Sequence, residues 1–424
     1  MSILIKNGRV IDPANNIDDI QDVLIEASKI AKVSKNIKAD AEEIIDAAGK
    51  IVMPGIVDMH VHLREPGRED KETVLTGTQA ALKGGVTSVL AMPNTQPAID
   101  CVESVRLLKE IIKKSAKSNV FIAAAITRGR KGSELTDIPQ LKKEGAIAIT
   151  DDGSSVDDSE LFLKALKKAK QCRVLVMCHC EDSSLSRDGV VNLGIISTRM
   201  GLRGIPKEAE YRRVERDIRL AQKTSTPVHI AHVSCAESVE IIARAVKDGV
   251  RVVAETAPHY FSLTEEEAAG YNTNMKVNPP LRSRDDAEAI KQGLKSGTID
   301  VIASDHAPHT ENEKDIEFEH AAFGVIGLET ELAASITELV KPGVLSWADL
   351  VQKLAANPAR ILGLDKGTLA VGKDADIIIV NPDKEWVVTR DCFVSKSKNS
   401  AFLGRKLNGV VEYTICDGKI AYKG

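Results

Sequence analysis

The chain has 424 residues, 43% hydrophobic and 28% charged, with a formal net charge of −4. This suits a soluble globular protein with room for one large domain plus a small one, or for two or three ordinary domains. Acids and bases are interspersed, which removes the electrostatic case for a nucleic-acid or membrane partner, and no apolar run approaches the length of a membrane span. No signal peptide is expected. Seven cysteines without a C-x-x-C pair argue against a disulfide framework and for a reducing compartment, so a cytoplasmic location is expected.

Residues 1–54 predict short strands. Ile3-Leu4-Ile5 and Val10-Ile11 flank Asn7-Gly8, so a type I′ hairpin is expected there. Val23-Leu24-Ile25 and Ile44-Ile45 follow, with a turn at Ala48-Gly49-Lys50. From residue 55 onward, apolar runs ending in polar residues alternate with stretches of helical spacing. The runs cover 55–62, 87–92, 120–126, 146–152, 173–179, 227–232, 251–256 and 301–305. Helical spacing appears in Val102, Val105, Leu108 and Ile112, then in Leu161, Ala165, Leu166 and Ala169, and again in Val239, Ile242, Ala245 and Val246. Gly84-Gly85, Gly145 and Gly249 stand where helix-terminating glycines stand. Eight units match a (β/α)8 barrel, and the rival open sheet lacks its G-x-G-x-x-G loop. Two amphipathic segments follow, near 328–339 and 347–354. The C-terminal end returns to strands, with a hairpin turn at Asp417-Gly418. The expected fold is therefore α/β, a barrel over 55–364 with a small β-sandwich domain built from 1–54 and 365–424.

In such a barrel the chemistry gathers at the C-terminal ends of the strands. His60, His62, His179, His232 and His259, five of nine histidines, fall at proposed strand ends, and His306 and His309 lie just past another. His60 and His62 are two apart, so on a strand both imidazoles leave one face and can share a metal ion. Alone, that pair reads as packing; with Asp152 and Asp305 at two further strand ends it reads as a zinc site able to hydrolyse an amide. Asp305 suits the proton carrier beside it. Arg64, on the His62 face one step further on, suits a bidentate contact to an anionic substrate. Other residues keep plainer readings. Asp151-Asp152-Gly153 is equally a turn sequence, and His229 reads as a core or helix-facing residue. His306 and His320 read as loop residues, and His259 stays open between packing and support of the site. Cys178 and Cys180 read as packed neutral thiols.

Asp58-Met59-His60-Val61-His62-Leu63-Arg64-Glu65-Pro66-Gly67, with Ala303-Ser304-Asp305-His306-Ala307-Pro308-His309 and Lys314, resembles the two signatures of the dihydroorotases, within the wider amidohydrolase superfamily. The likeness covers nearly the whole chain, including Met92-Pro93-Asn94-Thr95, His179-Cys180-Glu181-Asp182, His232-Val233-Ser234, Asn278-Pro279-Pro280-Leu281-Arg282 and Phe323-Gly324. The resemblance implies reversible ring closure of N-carbamoyl-L-aspartate to (S)-dihydroorotate in pyrimidine biosynthesis. It implies one or two zinc ions held by His60, His62, Asp152, His179, His232 and Asp305, with Asp305 also the catalytic proton carrier. It implies substrate contacts from His62, Arg64, Asn94, Asn278, His309, Phe323 and Gly324. A homodimer and a complex with aspartate transcarbamoylase are left open.

The chain departs from many relatives in one respect. Hydantoinases and animal dihydroorotases bridge two metals with a carboxylated lysine, whereas the fourth strand here ends Thr150-Asp151-Asp152 with no lysine. Asp152 is then the expected bridge, as in the bacterial subgroup that the chain resembles most. Ala322 also replaces a frequent proline. The rival readings are a hydantoinase, dihydropyrimidinase or allantoinase, and an inactive homologue that scaffolds aspartate transcarbamoylase. The missing lysine and Leu63-Arg64-Glu65-Pro66 weigh against the first, and the full ligand set weighs against the second. The segment 309–315, charged and without apolar anchors, is expected to close over substrate.

Overall fold

A computed structural model describes residues 2–424. Five strands open the chain: β1 (Ser2–Asp12), β2 (Ile17–Glu26), β3 (Lys29–Ser34), β4 (Glu43–Asp46) and β5 (Ile51–Pro54). The barrel begins with β6 (Ile56–Val61), β7 (Val86–Ala91), β8 (Asn119–Ala124), β9 (Ala146–Ile149) and β10 (Leu175–Cys178). A short excursion, β11 (Val191–Asn192) and β12 (Gly204–Ile205), precedes β13 (Val228–Ile230), β14 (Val252–Thr256) and β15 (Val301–Ile302). Three strands end the chain: β16 (Ile377–Val387), β17 (Lys406–Cys416) and β18 (Lys419–Lys423).

The middle strands form one parallel sheet in the order β15-β14-β13-β10-β9-β8-β7-β6. It closes where the His62 N–H donates to the His306 carbonyl at 2.8 Å, beside a parallel Val61–His306 bridge. All eight expected runs are strands, and each is buried on two faces, which explains their continuous apolar character. Val57, Met59, Leu90, Met92, Ala123 and Met177 pack inside the barrel. Outside, helices such as Val102–Ser115, Ser159–Cys172 and Ala236–Lys247 cover it. The helix Ser159–Cys172 shows why: its buried residues Phe162, Ala165, Leu166 and Ala169 recur at helical spacing, and the Asp158 carboxylate accepts from the Glu160 and Leu161 N–H groups.

The terminal strands share one mixed sheet in the order β18-β17-β16-β5-β1-β2-β3, with β4 on β1. Because β5 lies between β1 and β16, Ile3, Ile5 and Val10 pack in one cluster with Ile377, Ile379 and Ile415. The Asp417-Gly418 turn joins β17 to β18 as expected, with φ of 48° and 73°.

Asn7-Gly8, however, does not turn the chain. β1 runs through both residues as a bulge and pairs with β2 on either side, and the reversal falls at Pro13–Asn15. Asn7 has φ 62°, and its N–H donates to Asp22 Oδ1 at 2.9 Å. A Cβ on Gly8 would lie 2.4 Å from the Val52 side chain, so the glycine allows β5 to approach. Among the described residues no helix is long and apolar enough to cross a membrane.

Candidate active site

Several barrel strands are shorter than their apolar runs, so the polar residues at the ends of those runs lie beyond the last ladder bond. The chain bends sharply there. Arg64, His232 and Asp305 have φ of 62°, 36° and 47°, left-handed values that side chains other than glycine rarely adopt. Neighbouring groups hold these bends. The Asp58 carboxylate, for example, accepts from the backbone N–H of His60 at 2.9 Å and of Ser304 at 3.2 Å.

Asp152 stands at the centre. Its Oδ1 lies 3.2 Å from His60 Nε2, 3.5 Å from His179 Nδ1 and 3.6 Å from His232 Nε2, while Oδ2 lies 3.5 Å from His62 Nε2. Asp305 Oδ1 is 3.3 Å from His62 Nε2 and 3.6 Å from His60 Nε2. Two groups result, His60 with His62 and Asp152, and Asp152 with His179 and His232, which share the one carboxylate. Ligands at about 2.1 Å around a tetrahedral ion sit roughly 3.4 Å apart, so these spacings suit metal binding. His60 Nε2 and Asp152 Oδ1 are buried without a hydrogen-bond partner, which a metal ion would remedy. Burial opposes charge at Asp152, but His60, His179 and His232 outweigh it and hold the carboxyl well below its usual range.

For three of the four histidines the ring nitrogen that faces away also has a partner. His60 Nδ1 meets Glu255 Oε1 at 2.5 Å, His62 Nδ1 meets Asn94 Oδ1 at 2.7 Å, and His179 Nε2 meets Glu181 Oε2 at 3.2 Å. Each acceptor sets the tautomer that leaves the other nitrogen's lone pair toward Asp152. Glu255 and Glu181 had no role assigned from sequence. Glu255 closes the seventh apolar run, so the strand-end rule could have found it. Arg130 was missed too; its Nη2 donates to the Asp152 carbonyl at 2.5 Å.

His62, Arg64, Asn94, Asp152, His179, His232, Asn278, Asp305, His309, Phe323 and Gly324 line a single cavity of about 230 Å³, and His60 lies buried beside it. Arg64 is half-buried, its Nε donates to the Pro308 carbonyl at 3.1 Å, and the loss of water around it lowers its guanidinium to about 10. Asn94 spends its oxygen on His62, which leaves its amide N–H groups free. Asn278 donates to Glu181 Oε2 at 2.7 Å, so the residue behind His179 also fixes a cavity residue. Gly324 has φ 119°, and a Cβ there would lie 2.7 Å from that of Ala307.

Asp151 and Asp152 divide the two readings of their turn. Asp151 accepts from the Ile126 and Thr127 N–H groups at 2.8 and 3.0 Å, and only Asp152 faces the cavity. His229 is a core residue but not helix-facing: its Nε2 shares Glu255 with His60, at 2.9 Å, inside the barrel. His306 is in a loop yet buried, accepting from the Gly327 N–H at 3.2 Å and facing Glu72 at 3.3 Å. His259 is buried with Nε2 unpartnered, and burial lowers it to about 4. Cys178 and Cys180 are buried and kept neutral by burial.

A parallel eight-stranded barrel with imidazoles and carboxylates converging beyond its strands is the architecture of an amidohydrolase, with a cluster that fits a metal site. A family model described as "Amidohydrolase family" matches residues 268–422, and one described as "Dihydro-orotase-like" matches 49–238. The chain is 51% identical to a protein of Elusimicrobium minutum named dihydroorotase, over 99% of this chain and 97% of that one. It is 52% identical to a dihydroorotase of Geotalea daltonii over the full length of both. The chain belongs to the dihydroorotase family. Among solved structures, the L-hydantoinase of Arthrobacter aurescens superposes with a TM-score of 0.90 at 26% identity, covering 100% of this chain and 96% of that one. The dihydropyrimidinase of Brevibacillus agri gives 0.87 at 25% identity, covering 99% and 95%.

Proposed function

We propose that this protein is a zinc-dependent dihydroorotase that interconverts N-carbamoyl-L-aspartate and (S)-dihydroorotate with release or uptake of water. The observation that carries this reading is the placement of Arg64 beside the imidazole–carboxylate cluster, within a chain about half identical over its whole length to proteins named dihydroorotase. His60, His62, Asp152, His179, His232 and Asp305 would hold zinc, with Asp152 between the two halves of the cluster. When bound, zinc at such a site supplies an acidified water and polarises an amide carbonyl.

The chain's own residues do the rest. Arg64, Asn94 and His309 bind the carboxylate that survives on the ring and so place the scissile amide over Asp152. Asp305 Oδ1, beside His62 and His60, takes a proton from the attacking water and returns it to the leaving ring nitrogen; in ring closure the same transfers run in reverse. Asn278, tied to Glu181, and the backbone of Phe323 and Gly324 close the remaining wall. The cavity of about 230 Å³ suits one small ring.

The rival reading as a hydantoinase draws on structural neighbours of 25–26% identity, against about 50% for the dihydroorotases. It also lacks a lysine at the end of β9. The deciding experiment loads purified protein with zinc and follows dihydroorotate through its ultraviolet absorbance, with hydantoin and allantoin in parallel. Turnover of dihydroorotate alone is expected. Turnover of hydantoin or allantoin in its place would sink the proposal.

A further inference from the structure

His309 has one hydrogen-bonded neighbour at Nδ1 and another at Nε2, while Glu313 Oε2 stands 3.5 Å from Nδ1 behind Lys71. Lys71 Nζ lies 3.0 Å from Nδ1, and the Phe323 carbonyl oxygen lies 2.7 Å from Nε2. An ammonium has only hydrogens to give, so Nδ1 must carry the lone pair. A carbonyl only accepts, so Nε2 must carry the hydrogen. Both neighbours therefore demand the same neutral tautomer. Arg64 Nη2 lies 3.4 Å from that Nε2. Two donors do not bond each other, so they stand side by side, and an acceptor arriving between them shares the Nε2 hydrogen with the Phe323 carbonyl.

Lys71 is itself fixed. It is 6% exposed, and its Nζ lies 2.8 Å from Glu313 Oε1. Glu313 also pairs with Arg68 at 2.8 Å and accepts from the Thr310 N–H at 3.0 Å. Lys71, Glu313, Thr310 and His309 thus close a circuit that joins the segment after β6 to the segment after β15. Burial, then the charges of Arg64, Lys71 and Lys314, lowers the His309 imidazole to about 2, in keeping with a neutral ring.

We propose that Lys71 is a positioning residue for substrate binding: it pins His309 as the Nε2–H tautomer, so that the hydrogen donated to the Phe323 carbonyl is also shared, in a three-centre bond, with the substrate carboxylate beside Arg64. The inference rests on the reading of this cavity as the site for an anionic ring. The opposite tautomer would aim a lone pair at the same carboxylate oxygen and turn attraction into repulsion. Lys71 never touches the substrate; it decides which hydrogen-bonding character His309 presents.

The test is nitrogen-15 NMR of the zinc-loaded full chain carrying labelled histidine, with His309 assigned by the signals lost in His309→Gln. Nδ1 should appear as a pyridine-like, unprotonated nitrogen and Nε2 as a pyrrole-like one. A protonated Nδ1 in the unsubstituted protein overturns the proposal, and this reading needs no variant of Lys71 to fold. In Lys71→Met the His309 signals should shift toward mixed tautomers, and KM for dihydroorotate should rise about tenfold with kcat and zinc content nearly unchanged. Lys71→Arg, again with donors only, should recover most of the KM. An unchanged KM in Lys71→Met, or a loss of zinc and kcat together, counts against positioning. If the unsubstituted protein does not turn over dihydroorotate, the functional reading fails, while the NMR still reports the tautomer separately.

Discussion

Arg64 carries the substrate's charge in the proposed reaction, and its geometry explains why lysine is no equivalent. Its Nε is spent on the Pro308 carbonyl, and only a planar fork can hold that bond while presenting Nη2 next to His309. Arg64→Lys should raise KM roughly tenfold with zinc content unchanged; steady-state kinetics and metal analysis check it. Glu255 acts one step further from the chemistry. It holds His60 and His229 at once, and Glu255→Gln should weaken zinc binding about 10–100-fold, read by chelator competition. At this scale residue type and strand-end position were legible. The partners of the far nitrogens of His60 and His62 were not, since Glu255 and Asn94 reach them only once different strands lie side by side, whereas Glu181 reaches His179 from two residues on.

The segment after β15 is the element that most changes the expectation. Sequence shows 309–315 as charged and without apolar anchors. The structure anchors it with polar groups instead: Lys314, 6% exposed, donates to the Ala322 and Gly324 carbonyls at 2.8 and 3.0 Å. Its neighbour Lys276 donates to those of Phe318 and Glu319 at 2.9 and 2.8 Å. These contacts hold the backbone that carries Phe323 and Gly324. Burial lowers Lys314 from an ordinary 10.5 to about 7. Between about pH 7 and 10.5 the unfolded chain then holds a proton that the folded chain has given up, so stability should rise with pH through that window. Lys314→Met should flatten that part of the slope, measured by urea unfolding at several pH values. The eight strands and main helices were legible because their periods are local properties. Asn7-Gly8 was misread because a bulge and a hairpin use the same residues, and only the partner strands distinguish them.

Across the whole molecule, β5 lies between β1 and β16, so the two ends of the chain complete each other. Removing residues 365–424 would strip β16 from β5 and expose Ile3, Ile5 and Val10, all fully buried in the intact protein. That truncated chain should be insoluble or lack a cooperative thermal transition; a soluble, zinc-loaded barrel from it would show that the terminal sheet is dispensable. The sequence by itself determined the strand–helix alternation, the count of eight and the chemical types gathered at the strand ends, because hydrophobic period and residue chemistry are written along the chain. The tertiary structure alone decided that Asp152 rather than Asp151 turns inward, that Glu255 backs His60, and that Lys71 reaches His309. Those contacts join residues far apart in sequence, and barrel closure and the bends at Arg64, His232 and Asp305 bring them within hydrogen-bond distance.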